Sequence, residues 1–368
     1  MRIILTGGGT GGHLFPLVAV AEKLKEKLGP EAEFLYIGSG APLEKEVMGA
    51  ANIPMRFVLS GKWRRYPSLK NFTDIFKIPA GFLQSLWILL WNMPDAVFSK
   101  GGYAALPVVL AARTYRIPVM IHESDAVPGV ANQFLARFAQ RIAVAYPSAK
   151  EYFPAAKTAL VGNPVRPALL EGSAQALRSK LGFTQSKPVL LVLGGSQGAS
   201  AINGIIVRAL PQLLPKMQII HQTGKANYEA VVRLAATQGI KAEREGYYPV
   251  AFLDEAMLRD AYALADAIVS RAGATAIAES AAVGKPLILI PLEGAANDHQ
   301  RLNAHALSTQ GAAIVIDENN LGQNLLLQKI GEVLGDDDLN RALSRNIRAF
   351  YNQAAADIIA NGIIELTL

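Results

Sequence analysis

Short apolar runs alternate with longer segments of helical period along almost the whole chain, and this alternation restricts the fold more than any other feature. IILT (3–6), FLYIG (34–38), AVFS (96–99), PVMIHE (118–123) and RIAVA (141–145) are separated by helical stretches at 16–28, 42–50, 103–113 and 128–138. Buried strand, helix, buried strand is a βαβ unit, and repeated units give a parallel sheet with helices on both faces. The pattern breaks at TALVGNPVRPALLEG (158–172), where prolines and glycines at turn positions read as an interdomain connection. It then restarts with PVLLVLGG, MQIIHQTG, YYPVAFL, DAIVS, PLILIP and AIVI. At 368 residues the chain exceeds one ordinary core, so two α/β domains are expected, over 1–164 and 165–345. Residues 346–368 read as helical throughout with no strand after them, a segment expected to pack back on the first domain.

Composition narrows the class. Half of the residues are apolar (51%) and 18% are charged, which fits a globular chain and excludes a disordered or fibrous one. Without cysteine there is neither a disulfide framework nor a thiolate metal site. MRIILTGG lacks the features of a secretory signal, so a cytoplasmic location is expected. The net charge of +6 suits anionic ligands or an anionic membrane surface, and equally ordinary solubility.

Three strand–glycine–helix junctions carry the chemistry. The first, ILTGGGTGGH, satisfies G-x-G-x-x-G as Gly7, Gly9 and Gly12, with Pro16 expected in the first turn of the helix that follows. Such a loop brings backbone N–H groups and a positive helix end against an anion, phosphate by default. A dinucleotide site would need an acid closing the second strand to hold a ribose; EFLYIGSG ends in small residues. The second junction, LGGSQGAS, opens the second domain with Ser196 and Gln197 at the helix entry, where a hydroxyl either caps the helix or meets a phosphate. The third, SRAGATAIAES, places Ala274 and Thr275 at a helix start, with Glu279 one turn further in. That carboxylate reads either as a dipole-favoured acid or as an acceptor for a ribose diol. Similar junctions in both halves suggest two facing domains with a charged ligand at the carboxyl ends of their strands.

Among the five histidines, His221 and His305 read as structural, while His13, His122 and His299 lie in loops or helix entries. His122, Glu123, Asp125 and Asn132 cluster after a buried strand, where this type of sheet places its chemistry. No paired-histidine metal spacing, Walker loop or G-x-S-x-G elbow occurs, and Asp336–Asp338 reads as a helix cap.

GGGTGGHLFP (7–16), KGGYAALP (100–107), HESDAVPGVAN (122–132), GNPVRP (162–167), LGGSQGA (193–199), SRAGATAIAES (270–280) and NDHQRLNA (297–304) occur in one order. On these motifs, spread over essentially the whole chain, the sequence resembles glycosyltransferase family 28, the bacterial enzymes that add N-acetylglucosamine to the membrane-bound muramyl-pentapeptide lipid of peptidoglycan synthesis. The resemblance implies a GT-B fold of two Rossmann-like domains, with UDP-N-acetylglucosamine held mainly by the second. It also implies roles by position. Glu279 would bind the uridine ribose, Ala274 and Thr275 would lie by the diphosphate, and Ser196 would touch the phosphate or sugar region. Arg166 and Leu253 match donor-contact positions, Leu253 through its backbone to uracil; Gln300 and His299 would read sugar hydroxyls. Thr10, Gly11, Gly12 and His13 would come from the first domain, where Tyr103, Glu123, Asp125 and Asn132 would line the acceptor side. The family more often shows Asn at the position of Asp125, and some relatives carry Gln in place of His299.

An inverting transfer needs a base for the acceptor hydroxyl and stabilisation for departing UDP. His13 is the first candidate base, and Glu123 is either its rival or the group that orients it. Helix-end N–H groups, with Arg166, would meet the leaving charge, so no metal or other cofactor is called for. A lipid acceptor requires a way onto the bilayer. Lys62, Arg64, Arg65 and Lys70 precede IPAGFLQSLWILLWNMP (78–94), an uncharged run containing Trp87 and Trp91. A span needs about 20 apolar residues, and Pro79, Gly81, Gln84 and Asn92 interrupt this one. Two readings stay open, interfacial docking on anionic lipid and an ordinary buried helix. The expected setting is peripheral, on the cytoplasmic face of the cell membrane, with cell-wall synthesis proteins as further partners and no nucleic acid. A non-hydrolysing UDP-sugar epimerase, another glycolipid glycosyltransferase and a non-catalytic nucleotide-sugar sensor are the competing readings.

Overall fold

The computed structural model describes residues 1–61, 69–195 and 198–368, with side chains described outside 69–76 and Ala296. The chain divides into two compact units, Met1–Arg166 with Asn352–Leu368, and Pro167–Tyr351. Among the described residues the first unit holds a seven-stranded, all-parallel sheet in the order β3-β2-β1-β4-β5-β6-β7. Its strands are β1 (Arg2–Thr6), β2 (Glu33–Gly38), β3 (Met55–Phe57), β4 (Ala96–Ser99), β5 (Val119–Glu123), β6 (Arg141–Val144) and β7 (Thr158–Leu160). The crossover helices are α1 (Gly11–Leu28), α2 (Pro42–Ala50), α3 (Leu69–Asn92), α4 (Ala105–Thr114) and α5 (Val130–Leu135).

Among the described residues the second unit repeats the plan with a six-stranded parallel sheet, β10-β9-β8-β11-β12-β13. It contains β8 (Val189–Leu193), β9 (Gln218–Gln222), β10 (Tyr247–Val250), β11 (Ala267–Ser270), β12 (Leu287–Leu289) and β13 (Ile314–Val315). Its helices are α6 (Ala174–Leu181), α7 (Ser200–Leu213), α8 (Tyr228–Thr237), α9 (Glu255–Leu264), α10 (Ala274–Val283), α11 (His299–Ser308), α12 (Gln323–Gly335) and α13 (Asp337–Arg348). A last helix, α14 (Ala355–Glu365), belongs to the first unit.

Buried strands without polar alternation mark sheets covered on both faces. Ile3, Leu5, Tyr36 and Phe98 pack with Leu14, Leu17 and Leu24 of α1 and with Ile359 and Ile363 of α14. In the second unit Leu190, Val192, Ile219 and Val269 pack with Ile202, Ile206 and Leu210 of α7 and Ile330 of α12. In each sheet the order reverses once, at β1/β4 and at β8/β11. Loops leaving those neighbouring strand ends diverge and open a crevice, so the fold itself selects residues 7–10 and 100–103 in one unit, and 194–195, 198–199 and 271–273 in the other.

Several expectations shift. Thr158–Leu160, read as part of the connection, form edge strand β7, and the units part at 166/167 and 351/352. The C-terminal segment breaks at 349–354: α13 packs with the second unit, and only α14 returns to the first. Pro16 stands in the second turn of α1, where it forgoes the N–H that would bond the Gly12 carbonyl. Asp336 caps α13 by accepting from the N–H groups of Asp338 and Leu339, and His221 is a core residue, as expected.

Candidate active site

In the first unit the opening loop and the loop after β4 close on His13. Gly102 has φ +85°, and a Cβ there would lie 2.8 Å from the Gly8 backbone; a Cβ on Gly8 would lie 2.8 Å from His13 Nδ1. Gly102 is therefore required by close backbone approach, and a Cβ on Gly8 would displace the His13 ring. Thr10 precedes α1 with an extended backbone and makes no side-chain cap. Its hydroxyl instead meets His13 Nδ1 at 3.1 Å. When Nδ1 carries the proton and donates to Thr10, Nε2 keeps the lone pair a base needs. Gly11 and Gly12 supply the first-turn N–H groups that an intrahelical ladder leaves over.

Two residues behind this loop were not singled out from the sequence. Tyr36 donates its hydroxyl to the Gly7 carbonyl at 3.2 Å. Glu44, fully buried, accepts from the Ser39 hydroxyl and from the Gly40 and Ala41 N–H groups at 2.8, 2.7 and 3.2 Å. The legible signal was PLE at a helix start, a carboxylate three residues past the cap.

The loop after β5 corrects the expectation for His122, which lies within the strand and is fully buried. Its Nε2 donates to the Gly162 carbonyl at 2.9 Å, and Nδ1 meets the Lys100 ammonium. Burial first, and then the Lys100 charge, hold its pKa well below the usual value. Glu123 accepts four hydrogen bonds, from the N–H groups of Ser124, Asp125 and Gly129 and from Asn132 Nδ2, at 2.8, 3.0, 3.1 and 3.0 Å. A carboxylate so engaged organises its loop, which weighs against a role as the base. Asp125 is partly exposed on the same turn, Asn132 is 4% exposed, and Tyr103 is 44% exposed beside Gly102. Arg166 belongs here too, as the last residue of the first unit. Its guanidinium lies 4.2 Å from the centroid of Phe15, in the first turns of α1.

In the second unit Gly273 caps α10, and Ala274 and Thr275 form its first turn. Thr275 Oγ1 is buried and has no hydrogen-bond partner among the described residues. A buried orphan hydroxyl at a helix N-terminus fits an anionic ligand that would complete it. Glu279 lies in the second turn, 6% exposed, so the dipole reading for a first-turn acid falls away. The Tyr262 hydroxyl donates to Glu279 Oε2 at 3.0 Å and fixes the carboxylate. The N–H of Leu253 is already given to Gln222 Oε1 at 3.0 Å, so a base contact through that N–H is blocked. Gln300 Oε1 accepts from the Leu292 N–H at 2.9 Å, and His299 opens α11 after Asn297 and Asp298, both with positive φ. Arg271, missed in the sequence, bonds the Ile290 and Pro291 carbonyls and Glu318, tying together the loops after β11, β12 and β13. Ser196, like Lys62, Arg64 and Arg65, lies outside the described residues.

Helix α3 has two unlike faces. Leu89 and Ser85 are buried, Gly81 lies against the Leu59 carbonyl, and Gln84 accepts from the Leu59 N–H. Leu83, Trp87, Leu90 and Trp91 are exposed, as is Met93 just past the helix, with the Trp87 and Trp91 rings 5.6 Å apart. Of the residues that interrupt the apolar run, Gly81 serves the packed side, while Pro79 and Gln84 are exposed and Asn92 bonds the Ile88 carbonyl of its own helix. No helix among the described residues is long and apolar enough to cross a membrane.

Residues 3–144 match the glycosyltransferase family 28 N-terminal domain, and residues 189–360 match its C-terminal domain. A Clostridium perfringens protein named UDP-N-acetylglucosamine–N-acetylmuramyl-(pentapeptide) pyrophosphoryl-undecaprenol N-acetylglucosamine transferase is 39% identical over 98% of this chain and 95% of its own length. A Bacillus thuringiensis protein of the same name, numbered 3, is 36% identical over 99% of both chains. The crystal structure of Acinetobacter baumannii MurG superposes with a TM-score of 0.75 at 28% identity, covering 99% of each chain. A Neisseria meningitidis UDP-GlcNAc 2-epimerase gives 0.70 at 13% identity over 99% of this chain and 100% of its own, a likeness of fold alone.

Proposed function

The chain belongs to glycosyltransferase family 28, and from that premise we propose its reaction. It is an N-acetylglucosaminyltransferase that moves N-acetylglucosamine from UDP-N-acetylglucosamine to the C4 hydroxyl of undecaprenyl-pyrophosphoryl-N-acetylmuramyl-pentapeptide, in the lipid II step of peptidoglycan synthesis. The observation that carries this reading is the agreement of both family domains with relatives of that activity over nearly the entire chain.

The site residues have roles that follow from their surroundings. Thr10 holds Nδ1 of His13, and Nε2 takes the proton of the acceptor hydroxyl as the new C–O bond forms. Glu279, fixed by Tyr262, accepts from the ribose diol. The α10 N–H groups and Thr275 Oγ1 receive the diphosphate, whose charge grows as UDP leaves. Gln300 and His299 read the sugar, and Leu253 receives uracil through its carbonyl. The exposed apolar face of α3 supports docking in the headgroup region of the cytoplasmic leaflet, the surface on which the acceptor would reside.

The test is direct. Purified protein incubated with donor and lipid-linked muramyl-pentapeptide should release UDP in step with glycosylated acceptor. UDP release indifferent to acceptor, or epimerised donor from donor alone, would overturn the reading.

A further inference from the structure

Asn132 is 4% exposed, and the two ends of its amide have unlike surroundings. Nδ2 donates to the His122 carbonyl at 3.2 Å and to Glu123 Oε2 at 3.0 Å, so both amide protons are spent on acceptors. A turned amide would set Oδ1 against those same two oxygens. The orientation is therefore fixed. Oδ1 has no hydrogen-bond partner among the described residues and lies against Gly101. A Cβ on Gly101, which has φ +79°, would overlap Oδ1 and come within 2.7 Å of Cγ and 2.9 Å of Nδ2. The Asn132 amide is thus a wall on which the loop after β4 rests.

From that wall a line of close contacts runs to His13. Gly101 gives its N–H to Ser99 Oγ at 3.1 Å, and Gly102 beside it packs on the Gly8 backbone. Gly8 in turn abuts the His13 ring, whose Nδ1 meets the Thr10 hydroxyl. Gly101, Gly102 and Gly8 have no side chains to give way, so a displacement of the wall passes on to the imidazole.

We infer that Asn132, its amide oriented by Glu123, is a positioning residue for the transfer: it seats the loop after β4 against the opening loop and so sets the place of the His13 ring. The kinetic arm of its test rests on the proposed role of His13 as the base.

Asn132→Ala should lower kcat by roughly 10- to 100-fold, the scale of a misplaced reacting group, with the donor KM within about twofold of wild type. In a His13→Ala background the same change should cost roughly threefold or less, because no imidazole remains to be misplaced. Equal costs in the two backgrounds would mean a general defect of the fold and would overturn the inference. A second arm needs no turnover. In protein isotopically labelled at histidine, the His13 ring resonance, identified by its loss in His13→Ala, should move in Asn132→Ala and in Glu123→Gln, while that of His305 in the second unit stays in place. Glu123→Gln keeps the shape of the carboxylate but sets an amide NH2 among the N–H groups of Ser124, Asp125, Gly129 and Asn132. It therefore unseats the Asn132 amide without removing it, and if N132A does not fold, E123Q carries both arms. An unmoved His13 resonance would overturn the inference whatever the kinetics. A wild type without transferase turnover would sink the proposed function, and the resonance arm would still decide the role of Asn132.

Discussion

His13 and His221 show how surroundings assign opposite work to one side chain. His13 is partly exposed at a helix entry with one nitrogen held by Thr10. His13→Ala should lower kcat by roughly 10²- to 10⁴-fold at saturating donor, the usual worth of a general base. Turnover near that of the wild type would remove it from the proton transfer. His221 is fully buried, with Nδ1 on the Tyr247 hydroxyl and Nε2 on Asn203 Oδ1, each at 3.0 Å. Burial depresses its pKa from 6.5 to about 3. The unfolded chain then binds a proton below pH 6.5 that the native state refuses, so stability is complete above that value and falls as pH drops toward 3. Moving from pH 7.5 to 5.5 should cost about 1.4 kcal/mol through this one group. Urea unfolding of wild type and His221→Gln at both pH values checks it; an equal pH response in the two proteins would exclude His221 as the source.

Glycine loops were legible as elements because their chemistry is local: a missing Cβ between a strand and a helix is written in consecutive residues. Gly102 and Gly129 separate that signal into its parts. A Cβ at Gly102 would meet the Gly8 backbone at 2.8 Å with φ +85°, whereas nothing lies within 4 Å of a Cβ at Gly129, which has φ −65°. Gly102→Ala should lower kcat/KM by on the order of 10²-fold, since it displaces both loops around His13; Gly129→Ala should leave urea stability within about 1 kcal/mol of wild type or raise it. Equal effects from the two would break this account of the loops. Longer-range partners were not legible. Lys100, Tyr36 and Arg271 reach across neighbouring strand ends, and β3 and β7 are three-residue edge strands defined by the strand beside them. Glu123 was visible as a polar residue after a strand, but its four acceptor bonds depend on how the loop folds back. Periodicity likewise left α3 undecided, because its packed and exposed faces are both apolar. Trp87→Ser with Trp91→Ser should weaken binding to anionic vesicles by roughly tenfold or more while leaving soluble-donor binding intact, given the interfacial value of such side chains; unchanged co-sedimentation would return α3 to a purely structural role.

On the scale of the molecule, the chain leaves the first unit at Arg166, completes a second sheet, and returns at Asn352. That return makes the first unit discontinuous in sequence, so its stability depends on residues separated from β1 by the whole second unit. Polar contacts mark the seam: Lys27 with Asp357 at 3.0 Å, Arg141 with Glu365 at 2.6 Å, and Asn352 Nδ2 to the Val161 carbonyl at 2.7 Å. The two ion pairs are solvent-exposed, and such pairs contribute only ~0–1 kcal/mol. The apolar contact is larger in scale, since Ile359, Ala360 and Ile363 are fully buried in the core that β1 and α1 build. Ile359→Ala should therefore destabilise the first unit by about 2–5 kcal/mol, and Asp357→Asn by less than about 0.5 kcal/mol. Hydrogen exchange locates the loss. In Ile359→Ala the amides of β1, β4 and α1 should lose protection while those of β8, β11 and α7 keep it, because the buried side chains of α14 pack in the first core and α7 packs in the second. Equal loss in both sheets would mean that the two units unfold as one cooperative body, and the C-terminal return would then stabilise the whole chain instead of one half.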